Sequence, residues 1–412
     1  MKNELDALMQ SNGLEAIVIT GPAQHNPAMV YMTGGGHLTN ADLIKRRGEG
    51  AVLFHNPMER DEAAKSGLKT KNIGEYNLTE LLKGSSGDNL KATVKRYQLM
   101  LGELGITTGK VALYGRSEVG TNYAVFSALQ QALPDIELVG EVDRPVLMLA
   151  RLTKDEAEIA RIRNMGKVTT QVVALVADFL TSHQAKNGVL VTADGQPVTV
   201  GDVKSRIDSW LSERGAENPE GTIFAIGRDA GVPHSSGNPA DKIKLGQTIV
   251  FDIFPCEAGG GYYYDFTRTW CLGYAPDDVL ALYENVSSTY TKVTHELQVG
   301  RAFKDYQQMT CESFTSQGHP TIQEDPQTQQ GYVHSVGHGI GLNVHERPWS
   351  GINSDEKDIL VPGVVFTIEP GLYYPDKGMG VRLENSLWVR PDGKIEALAE
   401  YPMDLILPVK SG

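Results

Sequence analysis

Cysteine is scarce in this chain: Cys256, Cys271 and Cys311 are the only three. An odd and sparse set builds neither a disulfide framework nor a thiolate metal site, and it suits a reduced compartment. Long hydrophobic runs are missing as well. No stretch approaches the roughly 18 apolar residues of a membrane span, so no membrane attachment is expected. The N-terminal stretch carries Glu4 and Asp6 early and has no long apolar segment, so a secretory signal is not expected either. Basic charge is in deficit, with 38 Lys and Arg against 51 Asp and Glu for a net charge of −13. A nucleic-acid binder needs a basic face to neutralise phosphates, and a protein held on anionic lipid needs the same. Both classes are set aside, and a cytoplasmic setting is expected. Several catalytic signatures are absent too. There is no Gly-x-Ser-x-Gly elbow and no papain-like cysteine setting. Gly34-Gly35-Gly36 is not followed by the Lys-Ser/Thr of a phosphate loop and reads as a turn.

What is present is ordinary globular material: 412 residues, 41% hydrophobic and 22% charged, enough for a small and a large domain. Residues 1–150 read as an α/β unit. A short helix around Leu5, Leu8 and Met9 precedes apolar strands at 16–20, 51–54 and 110–114, with helices at 89–104 and 122–133 between and after them. That alternation predicts a largely parallel or mixed sheet covered by helices. A boundary is placed near Arg151. Beyond it, Ile159, Ile162, Met165, Val168, Val172, Leu175 and Phe179 recur at helical spacing and predict a long amphipathic helix over 154–183. Further helices are expected at 199–213, 276–298 and 302–317, and strands at 221–226, 247–255, 262–271, 363–369 and 380–389. Residues 151–412 then form the second domain.

Four elements of that second part could carry chemistry. Asp252 and Asp265 each lie in a strand-like setting around the turn Gly259-Gly260-Gly261. Their odd separation lets both carboxylates share one face of a hairpin, where like charges repel unless a cation or proton lies between them. His334, His338 and His345 crowd one glycine-rich stretch. His334 and His338 are four apart, as on a zinc-binding helix, but Gly337, Gly339 and Gly341 each cost about 1 kcal/mol in a helix, and no Glu follows His334. The stretch therefore reads as extended, with backbone approaching something closely. Glu369, before Pro370-Gly371, and Glu384, after Arg382-Leu383, lie at the end of or within apolar strands. Taken singly, each carboxylate also fits a solvent-facing strand position. Together, four carboxylates and one imidazole suit Mn, Co, Fe or Zn rather than a thiolate centre, and a charge of −4 matches two divalent cations.

In this order the four elements resemble the pita-bread metallopeptidases, the family of methionine aminopeptidase, aminopeptidase P and prolidase. The resemblance covers about residues 155–412, and the first 150 residues, with Tyr31-Met32-Thr33-Gly34, resemble the creatinase-type N-terminal domain of the aminopeptidase P and prolidase branch. It implies an α/β (α+β) architecture of two domains. It implies two divalent metal ions, manganese first with cobalt or zinc as alternatives, held by Asp252, Asp265, His338, Glu369 and Glu384. It also implies substrate contacts from His334, Arg382 and His234, the last in Pro233-His234, and stabilisation of the tetrahedral intermediate by His345. Two departures stand out. The family commonly has Asp-x-Gly at the first ligand and a hairpin two residues shorter, where this chain has Asp252-Ile253-Phe254-Pro255. Asn385 follows Glu384 where Asp is frequent.

The expected activity is hydrolysis of the Xaa-Pro bond at the N-terminus of peptides. Two ions about 3.5–4 Å apart would bridge a water and lower its pKa, the resulting hydroxide would attack the carbonyl before proline, and Glu369 would carry the proton to the leaving nitrogen. His345 and His234 would donate to the oxyanion. The alternative is a prolidase restricted to Xaa-Pro dipeptides. Another aminopeptidase activity, or a non-catalytic binding module on the same fold, ranks below both. The expected partner is a proline-containing peptide, and the resemblance implies a homodimer.

Overall fold

The computed structural model describes residues 4–411. These fall into two compact units, one running up to Arg151 and including Gly259–Gly261, the other comprising the rest from Leu152 on. In the first unit β1 (Leu14–Gly21), β2 (Ala41–Arg46), β3 (Val52–His55), β4 (Lys69–Asn72), β5 (Gly109–Gly115) and β6 (Ile136–Val139) form one sheet in the order β4-β3-β2-β1-β5-β6. The pairs β1–β5, β5–β6 and β3–β4 are parallel, and β1–β2 and β2–β3 antiparallel. The run Ala16-Ile17-Val18-Ile19 is apolar without alternation because both faces of β1 are covered. Ile17 and Ile19 pack with Leu5 and Met9 of α1 (Leu5–Ser11) and with Met29 and Met32 of α2 (Pro27–Thr33). Ala16 and Val18 pack with Val94, Tyr97 and Met100 of α3 (Asn89–Glu103) and with Val125 and Leu129 of α4 (Val119–Ala132). Gly34, Gly35 and Gly36 all take positive φ just after α2, which is why that turn needs glycine.

The second unit begins with α5 (Glu156–Ser182). Asp155 caps it, accepting from the Glu158 backbone N–H while the Glu158 carboxylate accepts from the Asp155 N–H. The buried stripe runs through Ile159, Ile162, Met165, Val168 and Val172 as expected, and then through Val176 and Leu180. Leu175 and Phe179 are instead half-buried. Phe179 meets Trp210 of α6 (Val200–Glu213), with ring centroids 6.5 Å apart. Helices α7 (Asp277–His295) and α8 (Lys304–Ser316) supply Val286, Val293, Tyr306 and Phe314 to a core shared with Phe366, Ile368, Val381 and Leu383. No helix among the described residues is long and apolar enough to cross a membrane.

The strands of this unit build the scaffold for the site. Those around the site are, in chain order, β7 (Thr222–Ile226), β8 (Thr248–Ile253), β9 (Phe266–Leu272), β10 (His338–Gly339), β11 (Glu346–Trp349), β12 (Val365–Ile368), β13 (Gly371–Tyr374), β14 (Met379–Arg382), β15 (Asn385–Val389) and β16 (Ile395–Ala397). β7, β8 and β9 are antiparallel neighbours in one sheet, and β11-β10-β12-β15-β16 form another. β13 and β14 form a separate hairpin. Two strand expectations are corrected here. The strand expected over 262–271 starts only at Phe266, so Asp265 precedes it. The strand expected over 380–389 is two strands in two sheets. The break has a local cause. Pro370 has no N–H to donate to the ladder beyond Ile368. Opposite it, the Leu383 N–H still reaches its register partner Pro370, which cannot return the bond, and the Glu384 N–H turns away to the Thr267 carbonyl.

Candidate metal centre

That double break positions the two glutamates. Ile368 pairs with Asn385 in one sheet and Gly371 with Arg382 in the other. Glu369 and Glu384 therefore lie side by side at the point where both chains change sheets, and neither sits within a strand. The aspartates arrive from the other direction. Asp252, near the end of β8, pairs with Thr267 of β9, and Asp265 lies two residues before Thr267. The odd spacing does place both on one face, as neighbours along a diagonal rather than directly opposed. His338 comes from β10, squeezed between β11 and β12. A Cβ at Gly337 would lie 2.0 Å from the Thr367 carbonyl oxygen, and one at Gly339 would lie 2.1 Å from that of Arg347. The glycines flanking His338 are thus required by neighbouring backbone, which accounts for the extended, glycine-rich stretch.

Ligand-type atoms of Asp265, His338 and Glu384, all buried, lie within 4.8 Å of one another. His338 Nδ1 is 3.0 Å from the Gly339 carbonyl oxygen, which can only accept, so the ring proton is on Nδ1. Nε2 then presents a lone pair to Asp265 Oδ2 at 3.6 Å and Glu369 Oε1 at 3.5 Å. Three acceptors facing one another repel unless a cation lies among them. Atoms each about 2.1 Å from a shared ion stand at about this separation, and an Nδ1–H given to a backbone carbonyl is the usual way a ligand histidine is oriented. Asp252 differs from the other four. Its Oδ2 accepts from Arg382 Nη2 at 2.6 Å. Its Oδ1, like Glu384 Oε1, is buried and has no hydrogen-bond partner. Leaving such groups unpaired in the interior is costly, and both are free to bind an ion. The residues present therefore fit two divalent ions.

Electrostatics tell the same story. Burial, and after it the charges of Glu384, Asp252 and Glu369, hold the Asp265 carboxyl well above the usual range. Burial followed by Glu369 and Asp252 does the same to Glu384. Glu369 is pushed up to about 8, chiefly by burial, with Arg382 opposing and Asp252 adding to the rise. Burial, then the neighbouring His345, pushes His338 down to about 3. Without ions, four carboxylates share one buried guanidinium, and the cluster favours added positive charge.

A cavity of about 840 Å³ opens over the cluster, lined by Asp252, Asp265, His338 and Glu369 together with His234, His334, His345, Arg382, Phe254 and Trp349. The His345 ring lies 4.3 Å from that of His338 between centroids. His334 gives its Nδ1–H to the Ser335 carbonyl, so Nε2 accepts from the Tyr373 hydroxyl at 2.8 Å. That hydroxyl in turn accepts from Arg382 Nη1 at 2.7 Å. Burial and then the Arg382 charge push His334 down to about 3, so it is neutral. Two supporting residues escaped the sequence reading. Thr267 donates to Glu384 Oε2 at 2.7 Å; its place two residues after Asp265 in a strand was the available signal. Tyr373 joins His334 to Arg382 and has no local signal beyond lying in an apolar strand. Asn385, where an acid is frequent in the family, accepts from Arg268 Nη2 at 3.0 Å and donates to the Tyr290 hydroxyl at 2.6 Å, so it is satisfied without charge.

The sequence profile of metallopeptidase family M24 matches residues 160–391. The chain belongs to metallopeptidase family M24. Among M24 relatives, the probable dipeptidase PepE of Mycobacterium tuberculosis is 29% identical over 262 residues, which is 64% of this chain and 62% of PepE. The chain thus aligns with less than two thirds of that relative's length. Solved M24 structures match far more of it. The Xaa-Pro dipeptidase from Bacillus anthracis superposes with a TM-score of 0.75 at 21% identity, covering 98% of both chains. The X-Pro aminopeptidase from Thermotoga maritima gives 0.72 at 22% identity, covering 96% of this chain and 97% of its own. The fold is therefore that of the M24 peptidases, a pita-bread domain preceded by an α/β domain of creatinase type.

Proposed function

We propose that the chain is a dinuclear-metal peptidase that hydrolyses the Xaa-Pro bond at the N-terminus of peptides, with residues 1–150 as its creatinase-like domain and 151–412 as its catalytic domain. The observation that carries the metal reading is the His338 lone pair facing Asp265 and Glu369 beside two unpartnered, buried carboxylate oxygens. The ions would be held by Asp252, Asp265, His338, Glu369 and Glu384. When bound they supply Lewis acidity and a water of lowered pKa. The protein's own groups do the rest. Glu369 takes the proton of the attacking water and returns it to the proline nitrogen, which departs as a secondary amine. His345 and His234, on the cavity wall, donate to the oxygen that gains charge. His334, neutral and fixed by Tyr373, borders the proline site. Arg382 orients Asp252. The proline preference draws on the names of structural neighbours, and manganese, a homodimer and a cytoplasmic setting belong to the same reading. The three cysteines are all buried free thiols, consistent with a reduced compartment.

The test is hydrolysis of Ala-Pro, Ala-Pro-Ala and Met-Ala by EDTA-treated protein with and without added Mn²⁺. Cleavage before proline that vanishes with EDTA and returns with Mn²⁺ is expected. Absence of cleavage with any divalent ion sinks the reading, and preference for Met-Ala moves it to another aminopeptidase. Between aminopeptidase and dipeptidase, one feature of the cavity favours the dipeptidase.

A further inference from the structure

The cavity carries two cations outside the histidines, Arg382 and Lys204, and their free donors differ. A guanidinium has five N–H groups. Those of Arg382 reach Thr267 Oγ1 (3.3 Å) from Nε, the Pro233 carbonyl (3.2 Å) and the Tyr373 hydroxyl (2.7 Å) from Nη1, and Asp252 Oδ2 (2.6 Å) from Nη2. Its charge is spent on Asp252, and it is 2% exposed. Little remains with which to bind a substrate carboxylate.

Lys204 is different. It stands on α6, and its Nζ donates to the Ser236 carbonyl at 2.7 Å. That single bond uses one of three N–H groups and aims the ammonium at the segment that carries His234. It makes no ion pair among the described residues. Burial lowers its pKa, and the Asp208 charge one turn along α6 offsets this only in part. A half-buried ammonium on the wall of a substrate cavity, with two N–H groups left and no carboxylate in direct contact among the described residues, is suited to bind an anion.

On the peptidase reading above, we propose that Lys204 receives the C-terminal carboxylate of the substrate and so makes the chain a dipeptidase. A dipeptide carries its free carboxylate directly on the proline ring. A longer peptide puts a neutral amide there, which cannot neutralise the ammonium. Losing one charge-assisted contact of this kind changes affinity by about tenfold to a hundredfold.

The experiment compares Ala-Pro with Ala-Pro-amide, and Ala-Leu with Ala-Leu-amide, using full-length Mn²⁺-loaded protein. The expected wild-type kcat/KM favours the free acid by about tenfold or more, with the difference in KM. In Lys204→Met the acid-to-amide ratio falls to within about twofold of one, and Lys204→Arg restores the preference, which a purely structural defect would not allow. An unchanged ratio in Lys204→Met overturns the proposal, as does a wild type indifferent to the amide. If only the leucine pair is cleaved, the proline reading fails and the Lys204 assignment stands or falls on that pair's ratio. If nothing is cleaved, both fail.

Discussion

Replacing Glu369 by Gln should stabilise the metal-free protein, although it removes a proposed metal ligand. In the metal-free state the Glu369 carboxyl is pushed from its ordinary 4.5 to about 8 by burial, with the Asp252 charge adding to it. Its side chain is 16% exposed, so solvent relieves little of this. The folded-state value is above the unfolded one. The group therefore favours folding fully below about pH 4.5, and that contribution is lost as pH rises towards about 8. Each pH unit climbed between 4.5 and 7 costs about 1.4 kcal/mol, giving about 3 kcal/mol at neutrality. Glutamine cannot ionise and escapes that cost. Its amide can also donate to His338 Nε2, which Oε1 now faces at 3.5 Å. Thermal unfolding of EDTA-stripped wild type and Glu369→Gln from pH 4.5 to 8 is the assay. At pH 7 the variant should melt about 6–12 °C higher, from about 2–4 °C per kcal/mol for a unit of this size, and the gap should close towards pH 4.5. Added Mn²⁺ should then reverse the order. The wild type gains about 4.1 kcal/mol when the ion is at a thousand times its Kd, more than the variant's lead of about 3 kcal/mol, and the variant gains far less. A metal-free variant that melts at or below the wild type at pH 7, or a gap that does not shrink with acid, refutes the picture of carboxylates held together against their repulsion.

Three further outcomes follow from the same geometry. Thr267→Val removes the hydroxyl that donates to Glu384 Oε2, and should weaken Mn²⁺ binding about tenfold to a hundredfold in calorimetric titration. Full retention of affinity would remove Thr267 from the site's support. Gly337→Ala would place a methyl 2.0 Å from the Thr367 carbonyl oxygen; a loss of several kcal/mol or insoluble protein is expected, and near wild-type urea unfolding would contradict the close approach. EDTA should lower the melting temperature of the wild type, with Mn²⁺ or Co²⁺ restoring it, and a melting curve indifferent to both would argue against any structural ion.

Much was legible in the chain because it depends on local pattern. The unbroken apolar run in β1 marks a strand covered on both faces. The seven-residue stripe of α5 was correct through Val172. The odd spacing of Asp252 and Asp265 places both on one face of an antiparallel pair, whatever the hairpin between them does. Gly337, Gly339 and Gly341 argued against a helix at His334 and His338, and β10 is extended because neighbouring backbones leave no room for a Cβ beside His338.

The rest depended on contacts between segments far apart in sequence. A continuous apolar run at 380–389 could not reveal that the chain changes sheets at Glu384, since the cause lies in Pro370, which has no N–H to give the ladder, and in Thr267, whose carbonyl takes the Glu384 N–H. Tyr373 and Thr267 carry no motif; they matter because folding sets their hydroxyls against His334 and Glu384. Lys204 lies on α6 beside the buried Val200, Val203 and Ile207, and only the tertiary structure turns its ammonium into the wall of the cavity. Periodicity and spacing determine which way a side chain faces from its own element. What it faces is decided by which elements pack together, as where Arg382 of β14 meets Asp252 of β8 at 2.6 Å.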